Sequence, residues 1–176
     1  VLYRPSFALQ SRELSTEQSI LRNQLENLGD HFFSEGAKVI DGQMSFDTTI
    51  CYVKLQDTTS DVTHLTGQTI QGLTSGVQAD IITAVNAEGE DPATLFVKYR
   101  ASGQVTQSQQ FSLGETLSGA DQLRVSNEDD SLGLGSIAQI QSGVYYVRGL
   151  FAEVDEQTII LDKYTNLPSY RVGLKI

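Results

Sequence analysis

Tryptophan is absent from the 176 residues, cysteine and methionine occur once each, histidine twice and proline three times. A lone cysteine cannot close a disulfide within the chain. Cys51 sits in ICYVKL, where strand alternation places Cys51, Val53 and Leu55 on one face. It reads as a small core residue, since a reactive thiol wants a basic neighbour and none is close in sequence. His31 and His64 lie far apart without metal-ligand spacing, so no metal is expected. His31 stands near a helix end, where it would face the last carbonyls. Charged residues make up 19%, below the usual ~25%, and the net charge is −10. An acidic chain repels the phosphate backbone, so nucleic acid is not an expected partner. No basic run suits an anionic membrane, and no apolar run approaches the ~20 residues of a spanning helix, so membrane insertion is not expected. No P-loop, HExxH, nucleophile elbow or triad pattern occurs, and Asp155 and Glu156 are adjacent, so in a strand they diverge. Neither an enzyme nor a cofactor is expected on these grounds. No Asn-x-Ser/Thr sequon occurs.

What is present is polar and uncharged: Ser, Thr, Gln and Gly fill the space left by charge, a bias that suits exposed β surfaces and turns. Hydrophobic residues, at 39%, are enough for a core but not a rich one. The chain starts at Val1 and stops at Ile176 in or just after a strand-like run, which reads as a fragment or processed product of something longer.

One segment is plainly helical. After the extended VLYRPSFALQ comes ELSTEQSILRNQLENLGDHFFSEG, residues 13–36. Ser15 with Gln18 three residues on forms a capping box, with a start nearer Ser11 as the other choice. Leu14, Leu21, Leu25, Leu28 and Phe32 recur at heptad spacing, with Gln18 in the missing position and Ile20 widening the stripe. Gly29 is a natural stop. This stripe, Leu14, Gln18, Leu21, Leu25, Leu28 and Phe32, is the candidate docking or oligomer-forming site. It can cover the chain's own sheet or face copies of itself. The heptads are few and Gln18 is polar, which favours packing within the chain or a mixed interface.

From Ala37 the period becomes two. AKVIDGQMSF and TTICYVKLQ read as strands with Asp41-Gly42 a turn. QDTTSDVTH marks a boundary. Leu65–Ile70, Val77–Val85 and the alternating run Leu95, Val97, Tyr99 read as strands, with NAEGEDP a turn. Phe111, Leu113 and Leu117 open a last pair of short strands. QLRVSNEDDSLGLGS marks a second boundary. Beyond it, Val144, Tyr146, Arg148 and Leu150 face one way and Tyr145, Val147 and Phe151 the other, and Asp155-Glu156 turns into TIILDKY. The expected fold class is mainly β with one N-terminal α-helix. A β host domain, residues 1–57 plus 126–176, carries an inserted small β-barrel or roll, residues 58–125. A single continuous β domain is the other reading.

Two motifs invite chemistry. GLGSIA, residues 133–138, has the spacing of a dinucleotide fingerprint, but that motif needs a strand before it and a helix after it. Turn glycines are the better account. NEDDS, residues 127–131, gathers three carboxylates without the glycine and final glutamate of a calcium loop, so a solvated loop is favoured.

The run FALQSRELSTEQSILRNQLENLGDHFFSEGAKVIDGQ resembles the opening of a family of bacteriophage tail structural proteins, frequent in phages of cyanobacteria and related contractile-tail phages. That region of the family is known only as a domain of unknown function. The family's helix, GDH-F turn and following strand fall on Leu9, Gln10, Glu13, Leu14, Gln18, Ile20, Gly29, Asp30, His31, Phe33, Glu35, Gly36, Val39, Ile40, Gly42 and Gln43. TGQTIQGLTSGVQADI, LFVKY and FSLGETLSG resemble the small β modules of baseplate and tail-fibre proteins. GVYYVRGLFAEVDEQTIILDKYTNLPSYRVGL resembles the strand pair that closes the same N-terminal region. The resemblance implies a virion structural protein of a phage tail, baseplate or tail fibre, without catalytic residues. Its partners would be other tail proteins and further copies of itself, with a trimer favoured. The alternative is a host glycan- or receptor-binding module of a tail fibre, in which Phe96 and Tyr145 stack on sugars. Filling a core is the commoner role of such residues. A third reading, a glycan-degrading enzyme, would need a cleft of converging acids, and the sequence offers no sign of one.

Overall fold

The computed structural model describes residues 8, 10–56, 61–104, 106–118 and 123–175. The expectations for residues 1–7 and 9, and for the boundary at 57–60, fall outside them. Among the described residues the chain is mostly β, with one N-terminal α-helix and a sheet curled into half a barrel. It divides into two compact units. One comprises residues 1–44 and 139–157, the other residues 45–138 and 158–176.

The first unit begins with α1 (Ser11–Phe32). Its start is the earlier of the two expected. The Glu13 carboxylate accepts a hydrogen bond from the Gln10 backbone N–H at 3.0 Å, satisfying a donor that the helix cannot. Ser15 instead lies inside the helix, where its hydroxyl donates to the Ser11 carbonyl. Gly29 does not stop the helix, which runs on to Phe32. It is the only buried residue of α1. A Cβ there would fall closer than 3.0 Å to the Tyr146 ring, so glycine serves close approach rather than termination.

Beyond the helix, β1 (Lys38–Asp41) pairs antiparallel with β11 (Gly143–Val147), which pairs antiparallel with β12 (Leu150–Val154). Val147 opposes Leu150, and between them Arg148 and Gly149 both have positive φ, 48° and 76°. Two such residues make a type I′ hairpin. The alternation expected to run straight through Arg148 therefore breaks there. Tyr146 ends opposite Phe151, on the same face, and both rings meet Phe33. Asp41 and Gly42, also at positive φ, bend the chain out of β1 rather than closing a hairpin. The Tyr145 hydroxyl donates to the Gly42 carbonyl at this bend.

The second unit is built on a seven-stranded antiparallel sheet. Its members are β3 (Cys51–Lys54), β4 (Thr69–Gly72), β5 (Gln78–Val85), β6 (Thr94–Ala101), β7 (Thr116–Ser118), β8 (Leu123–Arg124) and β9 (Leu132–Leu134). Their order across the sheet is β8-β7-β4-β5-β6-β3-β9. The strand expected over 65–70 starts only at Thr69, because Thr63–Leu65 form a 3-10 turn whose N-terminus is held by the Asp61 carboxylate. Val53, Leu95, Val97, Ile81 and Phe111 are fully or almost fully buried in the principal core. Cys51 is half-buried at its edge. The other face of β6 is also covered. Phe96 packs with Tyr52, Ile50 and Ile137, and Ile160 lies against them. Ile137 comes from β10 (Ser136–Ile140) and Ile160 from β13 (Gln157–Asp162). These two strands form a second sheet with β2 (Met44–Asp47), in the order β13-β10-β2.

This arrangement departs from an insertion at residues 58–125. β3 lies between β6 and β9, with Cys51 opposite both Val97 and Leu134, and Leu55 bridges Val125. A cut at 58 and 125 would sever a hydrogen-bonded sheet. The second of the expected boundary runs contributes β8 and β9 to that same sheet.

Candidate functional site

The stripe on α1 is set by helical geometry alone. Positions 14, 18, 21, 25, 28 and 32 fall within a narrow sector at about 100° per residue, along a rod of about 33 Å. The structure brings all six onto one face and covers none of the apolar ones. Leu14, Leu21, Leu25, Leu28 and Phe32 are 49, 58, 46, 56 and 70% exposed, and Gln18 is exposed. The expected packing of this stripe on the chain's own sheet is not what is seen. Within the first unit the sheet meets a different face, that of Glu26, Gly29 and Phe33, roughly 90° around the helix. A sequence search for apolar periodicity passes over that face, because its central residue is glycine.

Tyr146 anchors the helix there. Its ring fills the space left by Gly29, and its hydroxyl reaches the Glu26 carbonyl at 3.0 Å and the Asp30 carboxylate at 2.7 Å. Burial, then the Asp30 hydrogen bond and the charges of Asp30, Glu26 and Glu35, push the phenol up to about 12. The phenol thus stays a donor at neutral pH. Glu35 accepts from the Arg148 backbone N–H at 3.0 Å, and Gly36 donates to the Tyr146 carbonyl at 2.9 Å. The segment GDHFFSEG is therefore a clamp that holds the end of the helix and leaves its leucine stripe open. His31, in the last turn, is exposed and meets Phe32 edge to face.

The second unit holds the richest cluster of polar side chains. Tyr164 donates to the Asp91 carboxylate, lies 3.2 Å from the Thr94 hydroxyl and meets Tyr52 edge to face. Lys163 pairs with Asp91 at 2.5 Å. Buried Lys54 pairs with Asp130 at 2.5 Å and stands 4.5 Å over the Tyr164 ring. Burial pushes the Asp91 carboxyl up, but the Lys163 and Tyr164 hydrogen bonds outweigh it, so the group lies below its ordinary value. Burial and Asp91 push Tyr164 up to about 12. Each carboxylate here has a cation as partner, Asp91 with Lys163 and Asp130 with Lys54. The cluster's work is to fasten the segment after β13 to β3 and β6.

The remaining motifs resolve into structure. In NEDDS, Asp130 belongs to Lys54. Among the described residues no group of three His, Cys, Asp or Glu side chains could hold a metal ion. GLGSIA runs from β9 through the connecting Gly135 into β10, with no helix after it. Its glycines are not turn residues. Side chains at Gly133 and Gly135 would overlap the Tyr52 ring and the Lys163 carbonyl, respectively. Phe96 and Tyr145, the aromatics that a sugar-binding reading needs, are 0 and 8% exposed. A hollow of about 440 Å³ beside the β4–β5 turn is lined by hydroxyls and amides such as Thr74, Ser75, Gln71 and Gln104. Its lining has no titratable side chain. Behind it the buried Glu115 accepts hydrogen bonds from the Ser75 hydroxyl and from the N–H groups of Thr74, Ser75 and Ser112, which joins two turns. No helix of the described residues is long and apolar enough to cross a membrane. No family model, curated protein or solved structure matches the chain.

Proposed function

We propose that this chain is a virion structural protein, a component of a phage tail, baseplate or tail fibre that scaffolds assembly through protein–protein contacts. One observation carries the reading. A helix clamped at its C-terminal end to its own sheet holds five large apolar side chains in solvent along its length. Exposed stripes of this kind mark interaction sites. The filled principal core of the second unit suits a rigid assembly part. The N-terminal resemblance to phage tail proteins supplies the context, and α1 is then the docking element, joining tail neighbours and further copies, a trimer being favoured. Cryo-electron microscopy of an intact particle tests this. The chain should lie in the tail with α1 covered by a neighbour. A position outside a virion or injection machine would overturn the reading.

A further inference from the structure

The stripe also carries information about what covers it. In heptad notation Leu14, Leu21 and Leu28 take position d, while Gln18, Leu25 and Phe32 take position a. The flanks matter as much as the seam. Glu17 is at g and Arg22 at e, five residues on.

Consider first a second copy laid antiparallel with the seam fully overlapped. Gln18 then faces Leu28 of the other copy, which buries an amide against hydrocarbon without a partner. Arg22 also comes beside its own counterpart, like charge against like. A parallel copy shifted by one heptad sets Gln18 against Leu25 and loses a layer. In the parallel, unshifted alignment all three faults vanish. Gln18 meets Gln18, amide to amide, and each leucine layer meets itself. Glu17 of one copy lies beside Arg22 of the next, the pairing that parallel coiled coils use to choose partners. The sheet meets the helix at Gly29, an e position about 60° from the seam axis, while Leu14, Leu21, Leu25, Leu28 and Phe32 stay exposed.

We infer that the occupant of the stripe is a second copy of this chain, joined through α1 as a parallel, in-register coiled coil in which Gln18 fixes the register. This rests on the reading of α1 as a docking element and names its partner. The seam spans about three heptads, a short coil whose pairing depends on concentration.

Cysteine cross-linking of the full chain tests it. Two forms, each also carrying Cys51→Ala, bear Leu14→Cys or Phe32→Cys. Under mild oxidation each form alone should yield disulfide-linked copies, because like positions meet across a parallel seam. An equal mixture should give no product joining position 14 to position 32. A mixture that gives only that product would make the helices antiparallel and overturn the inference, as would no product in any arm. Unchanged circular dichroism checks that both forms fold. A charge exchange adds a second reading by sedimentation. Arg22→Glu should weaken association about threefold to tenfold, and Glu17→Arg similarly. The double variant should return it to wild type, and no recovery would remove the register. If copies do not pair while the chain still joins purified tail assemblies, self-association falls and the scaffold reading stands. Pairing in a chain that joins no tail assembly does the reverse.

Discussion

Leu95 and Leu25 are the same residue in opposite circumstances. Leu95, in β6, is 0% exposed and lies between two neighbouring strands in a filled core. Leu25, midway along α1, is 46% exposed with no described residue covering it. The sheet buries a filled core of its own apolar groups. The helix is covered along only one edge, through Gly29 and Tyr146, and its leucine stripe stands in solvent. The difference separates apolar side chains that fill a core from apolar side chains that stand in solvent.

The largest effect should come from breaking the filled side. Phe96 packs on Tyr52, Ile50 and Ile137 from the face of β6 opposite the principal core. Phe96→Ala leaves a cavity there and should cost about 3–5 kcal/mol in denaturant unfolding. A loss under ~1 kcal/mol would mean that this second core is not closed.

Next in size is the joint between the helix and its sheet. Gly→Ala inside a helix ordinarily gains up to ~1 kcal/mol. At Gly29 the added Cβ overlaps the Tyr146 ring, so the sign should invert, with a loss of about 1–3 kcal/mol. Thermal unfolding of Gly29→Ala reads this directly. A rise in melting temperature would refute the close approach.

Acid should loosen the second unit at particular places. Asp61 is held at about 2, against an ordinary 3.8, by hydrogen bonds from the Thr63 hydroxyl and N–H and from the Asn86 amide. Asp130, through its Lys54 hydrogen bond, and Asp91 are also held low. Burial pushes Asp47 up, but hydrogen bonds from the Thr49 hydroxyl and N–H and the charge of Lys98 leave it low too. All four belong to the second unit. A carboxylate lowered on folding contributes stability that is full above its unfolded value and lost as pH falls toward the folded one. Hydrogen exchange should therefore rise in residues 61–65 and around 86 as pH drops from about 3.8 to 2, after correction for intrinsic rates. Protection unchanged through that window would remove the assigned bonds.

The sequence made the helix and its stripe legible because both follow from a period of 3.6 and depend on nothing distant. Most strands from Lys38 onward were legible for the same reason, at a period of two. Less legible was everything set by partners far along the chain. Gly29 looks like a stop until Tyr146, 117 positions on, fills its place. Arg148-Gly149 lacks the usual Asn or Asp of a type I′ turn, so the hairpin hid inside an apparent strand. The domain division depended on β3 pairing with β6 and β9, a long-range choice that composition does not encode. For the candidate site, periodicity identified the residues but not their exposure. The stripe could have faced the sheet, and only the glycine about 60° around from it shows that another edge does.

The smallest effect on the isolated fold is also the most telling. Leu25→Ala removes an apolar side chain that touches no core, and both residues are good helix formers. In dilute solution, where copies are apart, unfolding should move by no more than ~0.5 kcal/mol. At Leu95 the same substitution should cost about 2–5 kcal/mol at any concentration. Raising the concentration is the discriminating step. Wild type should gain stability as copies associate, while Leu25→Ala should not, so the two curves diverge only when the stripe can be filled. A large loss for Leu25→Ala already present in dilute solution would show that the helix packs on its own chain. The contrast between the two leucines would then disappear.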